Sequence, residues 1–292
     1  GLHWACYAGS DEVAQMLLTA GASATREDAG GYAPVHMACM GGDKACVRTV
    51  AEAAARQGGH LPREELSRRN RDTGETPLHC AAQAPCPETV QYVAREGGGA
   101  GARDAKGRTP LLSAPEEHDS AAVLEALLVA GADPNAADGE GSTVLHRCVL
   151  FSRPAMLTLL LDPFARPPRP LAGRARAREE VSPLAWGDEG GVPKLVGGGR
   201  LDLNPQDSEG LTPLALAIKM GDDAAAAALL RAGALVSPKD AGGRTALQHA
   251  VRAGASHTLM LALKGKGAAA APFAQAVDHP PGGGWRVEPP RP

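Results

Sequence analysis

Apolar residues along this chain fall in short paired blocks separated by polar turns that contain glycine. The clearest first block is the run Asp-Thr-Gly-Glu-Thr-Pro-Leu-His-Cys-Ala-Ala from Asp72 to Ala82. Gly74 supplies a turn, Thr76 is placed to cap a helix by accepting a backbone N–H, and Pro77 suits the first helical position, where its missing N–H costs nothing. A second block ends in Gly-Ala, as at Leu17-Leu18-Thr19-Ala20-Gly21-Ala22, Leu127-Leu128-Val129-Ala130-Gly131-Ala132 and Leu229-Leu230-Arg231-Ala232-Gly233-Ala234. Glycine there allows the left-handed turn that stops a helix. The pattern therefore predicts a unit of one turn and two helices, used repeatedly.

The copies are in register. Thr76 to Thr109 is 33 residues, Thr109 to Thr143 is 34, and both Thr212 to Thr245 and His3 to His36 are 33. Two longer gaps, 43 residues from His36 to His79 and 69 from Thr143 to Thr212, fit one period of 33 plus insertions of 10 and 36. A period of 33 with a Thr-Pro-Leu-His-x-Ala opening resembles the ankyrin-repeat family, whose unit is a β-turn followed by two antiparallel helices. The resemblance implies an all-α repeat solenoid over residues 1–264, with copies starting near 1, 28, 71, 104, 138, 207 and 240, joined by β-turn or hairpin loops.

Irregularities give each copy its own expectation. The first is truncated, and a start at Gly1 inside a copy, without Met, reads as a fragment. Ala33 replaces the capping Thr of the second copy, which forgoes about 1 kcal/mol. Insertions are predicted near 58–70, where Leu61 to Leu66 suggests an extra turn, and at 163–200. Pro87 and Pro154 are placed to open second helices. Pro115 falls inside the first helix of the fourth copy, where it removes a backbone bond, so that helix is expected to be short or kinked. Residues 163–200 hold six Pro and seven Gly, and 265–292 eleven Gly or Pro, which reads as a loop and a disordered tail.

Composition narrows the function. Aromatic residues make up only 3%, which suits close packing through Ala and Leu. The net charge of −3 argues against a polyanion binder, except locally at Arg174, Arg176 and Arg178. No apolar run reaches the 18 residues of a membrane span. The six cysteines contain no Cys-x-x-Cys, and neither His36, Cys39 and Cys46 nor His79, Cys80 and Cys86 shows finger spacing or a fourth ligand. Free thiols suit a reducing, cytoplasmic or nuclear setting. No phosphate loop, nucleophile elbow or zinc-protease helix occurs, so the reading assigns no catalysis, no cofactor and no metal.

What remains is surface. Ankyrin repeats bind partner proteins through the turn tips and the groove side of the first helices. The resemblance places Tyr7, Tyr32, Met40, Lys106, Arg108, Leu150, Phe151, Leu211, Met220 and Arg244 there, with Glu75, Gln83, Glu116, Glu117, Lys219 and Arg252 beside them. Tyr7, Tyr32 and Met40 are expected to form one apolar patch, and Leu150, Phe151, Leu211 and Met220 another. The expectation is a monomeric array that binds an unidentified protein. The alternative is a regulatory or targeting arm of a larger enzyme or channel.

Overall fold

A computed structural model describes residues 1–161 and 201–264, with the backbone alone at 184–186 and 193–195. The loop expected over 163–200 and the disordered tail expected over 265–292 otherwise lie outside the described residues. The predicted pairs appear as α1 (Leu2–Tyr7) and α2 (Asp11–Thr19), α3 (Pro34–Gly41) and α4 (Lys44–Gly58), then α5 (Pro62–Glu65) in the first insertion. They continue as α6 (Pro77–Gln83) and α7 (Pro87–Gly97), α8 (Pro110–Glu117) and α9 (Ala121–Val129), and α10 (Val144–Leu150) and α11 (Pro154–Leu161). The last are α12 (Pro213–Met220) and α13 (Asp223–Arg231), and α14 (Ala246–Ala253) and α15 (His257–Lys264). Within the second insertion Leu184–Trp186 pairs antiparallel with Pro193–Leu195.

Each first helix packs on the next first helix, from α1 through α3, α6, α8, α10 and α12 to α14, and the second helices form a parallel row. Because α10 rests directly on α12, the long insertion leaves the stack unbroken. The interface is set by sequence position. Two residues after the cap stand Val35, Leu78, Leu111, Leu145 and Leu214, all buried, each contributing about 1.5–3 kcal/mol. Between them lie small residues that let helices approach. A Cβ on Gly41 would sit 2.6 Å from the Cys6 carbonyl oxygen of α1.

Five turns are built on a carboxylate that the sequence analysis did not single out, while the Asn70 side-chain oxygen serves the turn before Gly74. Asp28, Asp104, Asp138 and Asp207 each accept two backbone N–H groups of their own turn on one Oδ1, at 2.8 to 2.9 Å. Asp240 accepts from the Arg244 N–H in the same way, which with other contacts holds its carboxyl down to about 2. Successive tips are then tied by backbone bonds, Ala105 to Thr73 at 2.8 Å, Gly139 to Lys106 at 3.0 Å, Ser208 to Glu140 at 2.7 Å and Ala241 to Glu209 at 2.9 Å. Arg103 donates to the carbonyls of both Gly107 and Ala137 at 2.6 Å, and Gln206 bridges Gly210 and Lys239 likewise.

Thr and His of the opening motif form one device. Thr76 and Thr143 share their cap with Nδ1 of His79 and His146, and Nε2 of the same rings reaches the carbonyls of Arg108 at 3.0 Å and Leu211 at 2.9 Å in the following copy. His3 does the same to Tyr32. Two copies lack one member and leave the other orphaned, whereas Thr212, with Ala215 in the histidine place, still accepts the Ala215 N–H at 3.2 Å. Ala33 leaves the buried Nδ1 of His36 without a partner, and Leu112 in the histidine place leaves Thr109 Oγ1 without one. Burial pushes His36, His79 and His146 below the ordinary histidine value, so each is neutral in the fold.

Pro115 does not shorten its helix. α8 keeps eight residues, as long as α12, with Pro115 in its last turn. The helix lacks the glycine stop used by α3, where Gly42 adopts φ 76°. Its final carbonyls are capped from the next copy, where Arg153 donates to Pro115 O at 2.6 Å and Glu116 O at 2.7 Å. His118, also pushed down by burial, meets the Ala82 carbonyl at 3.0 Å.

Three outcomes test this. Ala33→Thr gives the idle His36 nitrogen its partner and should raise stability by about 1 kcal/mol in denaturant titration; no gain means the cap is already met. Arg153→Ala should cost about 1.5–3 kcal/mol and open amides of α8 to hydrogen exchange; unchanged protection from Leu111 to Glu117 refutes the cross-copy cap. Buried neutral histidines have folded values below 6.5, so the unfolded chain binds more protons as pH falls. Their stabilisation is complete above the unfolded value and shrinks below it. The melting midpoint should therefore fall between pH 7 and pH 5, less steeply in His79→Gln; equal slopes contradict the assignment.

Candidate interaction groove

The groove side of the stack carries the residues seven and eight after each cap, together with the tips. Tyr7 is 51% exposed and meets the still more exposed Trp4 edge-on, with ring centroids 6.2 Å apart. Met40 is half-buried against the core beside them. Further along, Leu150 and Met220 are 47% and 54% exposed and Phe151 is half-buried, placing an apolar pair of copies across the long insertion. Lys106 is exposed on its tip, and Arg244 is exposed while holding Asp240 through Nε at 2.9 Å.

Three expected surface residues turn inward. Arg108 is buried, with Nε 2.6 Å from Asp104, Nη1 2.9 Å from Glu116 and Nη2 3.3 Å from Glu75. Its guanidinium is pulled down by burial, but the carboxylates of Asp104 and Glu116 more than offset this and hold it above its ordinary value. Leu211 is buried, because the residue before the cap leans into the turn stack, so it leaves the second patch. Tyr32 is half-buried and donates its hydroxyl to Glu75 at 2.7 Å; burial and the Glu75 carboxylate push its phenol up to about 12.

These contacts join into a bridge that spans four copies. It runs from Tyr32 to Glu75, Arg108 and Glu116, then through Arg147 to Asp138 at 2.7 Å. Gln83 also donates to Glu75 at 3.3 Å. Arg147 and the turn N–H groups hold Asp138 low against the opposing effect of burial. Every side chain of this bridge is engaged within the chain, so it separates the two apolar patches by a polar, preorganised floor. Sequence reasoning missed the bridge and Trp4. Glu75 and Arg108 were legible, since opposite charges stand 33 residues apart in the same motif place. Glu117, Lys219 and Arg252 are exposed, with Lys219 paired to Glu209 at 2.7 Å.

Among the described residues no group of three His, Cys, Asp or Glu side chains is placed to hold a metal ion, and no helix is long and apolar enough to cross a membrane. Cys6, Cys39, Cys46, Cys80 and Cys148 are buried thiols, and burial pushes Cys39, Cys80 and Cys148 up, which keeps them protonated. Arg174, Arg176 and Arg178 lie outside the described residues.

Comparison with known proteins matches this geometry. A family profile described as ankyrin repeats (3 copies) covers residues 2–99, 52–138 and 185–269, and a second, ankyrin repeats (many copies), covers 116–161. The chain is 38% identical over 146 residues to human B-cell lymphoma 3 protein, covering 50% of the chain and 31% of that protein. It is 34% identical over 118 residues to the Drosophila melanogaster NF-kappa-B inhibitor cactus, covering 33% and 23%. It is 32% identical over 124 residues to the Arabidopsis thaliana E3 ubiquitin-protein ligase KEG, covering 42% and 7%. The chain thus spans about a third or less of the length of these relatives. With seven registered helix pairs, Asp-anchored turns and the Thr and His caps, the chain belongs to the ankyrin-repeat family.

Proposed function

We propose that this array is a non-catalytic module that binds one partner protein across the groove, with Tyr7, Met40, Leu150, Phe151 and Met220 as apolar anchors. Lys106 and Arg244 contribute from the tips, and the Tyr32 ring borders the first patch. Ankyrin repeats generally mediate protein–protein interaction. The observation that supports this use of the groove is its partition: two exposed apolar patches flank a bridge whose charges are already paired with one another. Apolar anchors gain most from desolvation, while paired charges add register more than affinity. One relative is named as an inhibitor, the NF-kappa-B inhibitor cactus, which favours a regulatory contact, and the free thiols favour the cytoplasm or nucleus.

A second reading rests on coverage. The matches to the ligase KEG and to a Drosophila transient receptor potential cation channel occupy 7% and 12% of those proteins. In such a setting the array is the targeting arm of a larger enzyme or channel, and the groove chemistry is the same.

The test is capture from lysate of the source cell by the native chain and by a variant with Tyr7→Ser, Met40→Ser, Leu150→Ser and Met220→Ser, after circular dichroism shows equal helix content. A protein retained by the native chain and lost by the variant supports the groove. Equal retention places binding elsewhere and refutes it. Arg108→Met separates stability from binding, since it leaves Asp104, Glu75 and Glu116 short of a partner. It should cost about 3 kcal/mol in unfolding while sparing affinity in the folded fraction.

A further inference from the structure

Two thiols of neighbouring copies meet inside the first two units of the stack. Cys6 stands near the end of α1, Cys46 is the third residue of α4, and both are fully buried. Their side chains are in hydrogen-bond contact, with Cys6 donating its S–H to the Cys46 sulfur. The backbones around the pair approach closely. A Cβ on Gly41 would lie 2.6 Å from the carbonyl oxygens of both Cys6 and Tyr7, and one on Gly9 would lie 3.3 Å from the Asp43 Cβ. Asp43 in turn accepts the Cys46 N–H at 2.6 Å as the cap of α4. Cys39 belongs to the same core but takes no part in the hydrogen bond between the two thiols.

The contact makes the two sulfurs unlike. Accepting the Cys6 S–H draws Cys46 below the ordinary thiol value, against burial and the carboxylates of Asp11 and Asp43. Donating it pushes Cys6 up, and burial adds to the rise. Position widens the difference, because the first turn of a helix favours a negative sulfur. Cys46 is therefore the nucleophile of the pair, and Cys6 is the sulfur placed to resolve it. The cover over them is light. α1 has six residues, and its Trp4 and Tyr7 point their rings to solvent rather than into the core. Local opening of such a unit, well short of global unfolding, admits a small oxidant.

We propose that Cys6 and Cys46 form a peroxide-responsive dithiol whose oxidation to a disulfide clamps the first copy to the second. The Cys46 sulfur attacks one oxygen of hydrogen peroxide, the O–O bond breaks, and the departing hydroxide takes the thiol proton, leaving Cys46 as a sulfenic acid and releasing water. Cys6 then attacks the Cys46 sulfur, the S–O bond breaks, and the hydroxide that leaves takes the Cys6 proton. Two thiols and one peroxide give one disulfide and two waters. A dithiol reductant reverses the step by exchange, as a reducing compartment requires. The clamp ties α1, with Trp4 and Tyr7 on it, to α4. Its chemistry is independent of what the groove binds.

Treating the folded full chain with hydrogen peroxide, then alkylating and digesting it without reductant, tests this. The expected product joins the Cys6 and Cys46 peptides of one chain, is lighter than the free pair by two hydrogens, and disappears with dithiothreitol. Oxidation should also slow hydrogen exchange of the α1 amides about tenfold. Cys6→Ala should instead accumulate the Cys46 sulfenic acid, trapped by dimedone, while Cys46→Ala should leave Cys6 a free thiol. Retention of every free thiol in the treated native chain overturns the proposal. So does a link that forms only in denaturant, that uses Cys39 or Cys86, or that joins two chains. Equal α1 exchange in the oxidised and reduced chains overturns the clamp.

Discussion

No helix pair in this chain can bury its own apolar face, and everything else follows from that constraint. Each first helix is short, six to eight residues, far below the length at which an isolated helix holds in water. It persists because its leucine and small residues are closed between the helices before and after. Stability is then a sum of units and of the interfaces between neighbours. Polar groups follow the same logic, as the histidines cap their own helix on one nitrogen and reach the next copy on the other. Asp-anchored turns hold the tips at the spacing that lets their backbones bond to one another.

The groove is a by-product of that stack and inherits its regular spacing. A column of side chains pointing out of successive first helices offers a ruler on which sequence alone decides the chemistry of each step. Here the ends of the ruler are apolar and the middle is charged, but the charged middle is committed to the fold through Arg108, Glu116 and Arg147. A partner meeting this surface gains from covering Tyr7, Met40, Leu150 and Met220 and finds a polar floor that needs no rearrangement. The long insertion leaves α10 on α12, so the second patch is contiguous across it.

Most of the architecture was legible because the period repeats faithfully and because Thr-Pro, Gly-Ala and the two opening prolines carry backbone consequences of their own. What escaped was decided by contacts between copies. Arg108 and Leu211 stand in a column the family exposes on its tips, yet they are buried by neighbours that only the stack brings near. Pro115 was expected to shorten or kink α8 from its own helix alone, whereas Arg153 from the next copy supplies the cap that its position lacks. The aspartates stand three residues before Gly31, Gly107, Gly141, Gly210 and Gly243, but a single Asp carries little information on its own. The orphaned His36 nitrogen and Thr109 hydroxyl show the same rule in reverse, since each marks a place where sequence drift removed its partner.

The measurement that tests this account most directly is a hydrogen-exchange footprint of the array with its captured partner bound. The account predicts slowed exchange in the first helices and turn tips around the two patches, from α1 to α3 and from α10 to α12, with the row of second helices unchanged. A footprint confined to α4, α7 and α9, or one that leaves both patches exchanging as in the free protein, would contradict it.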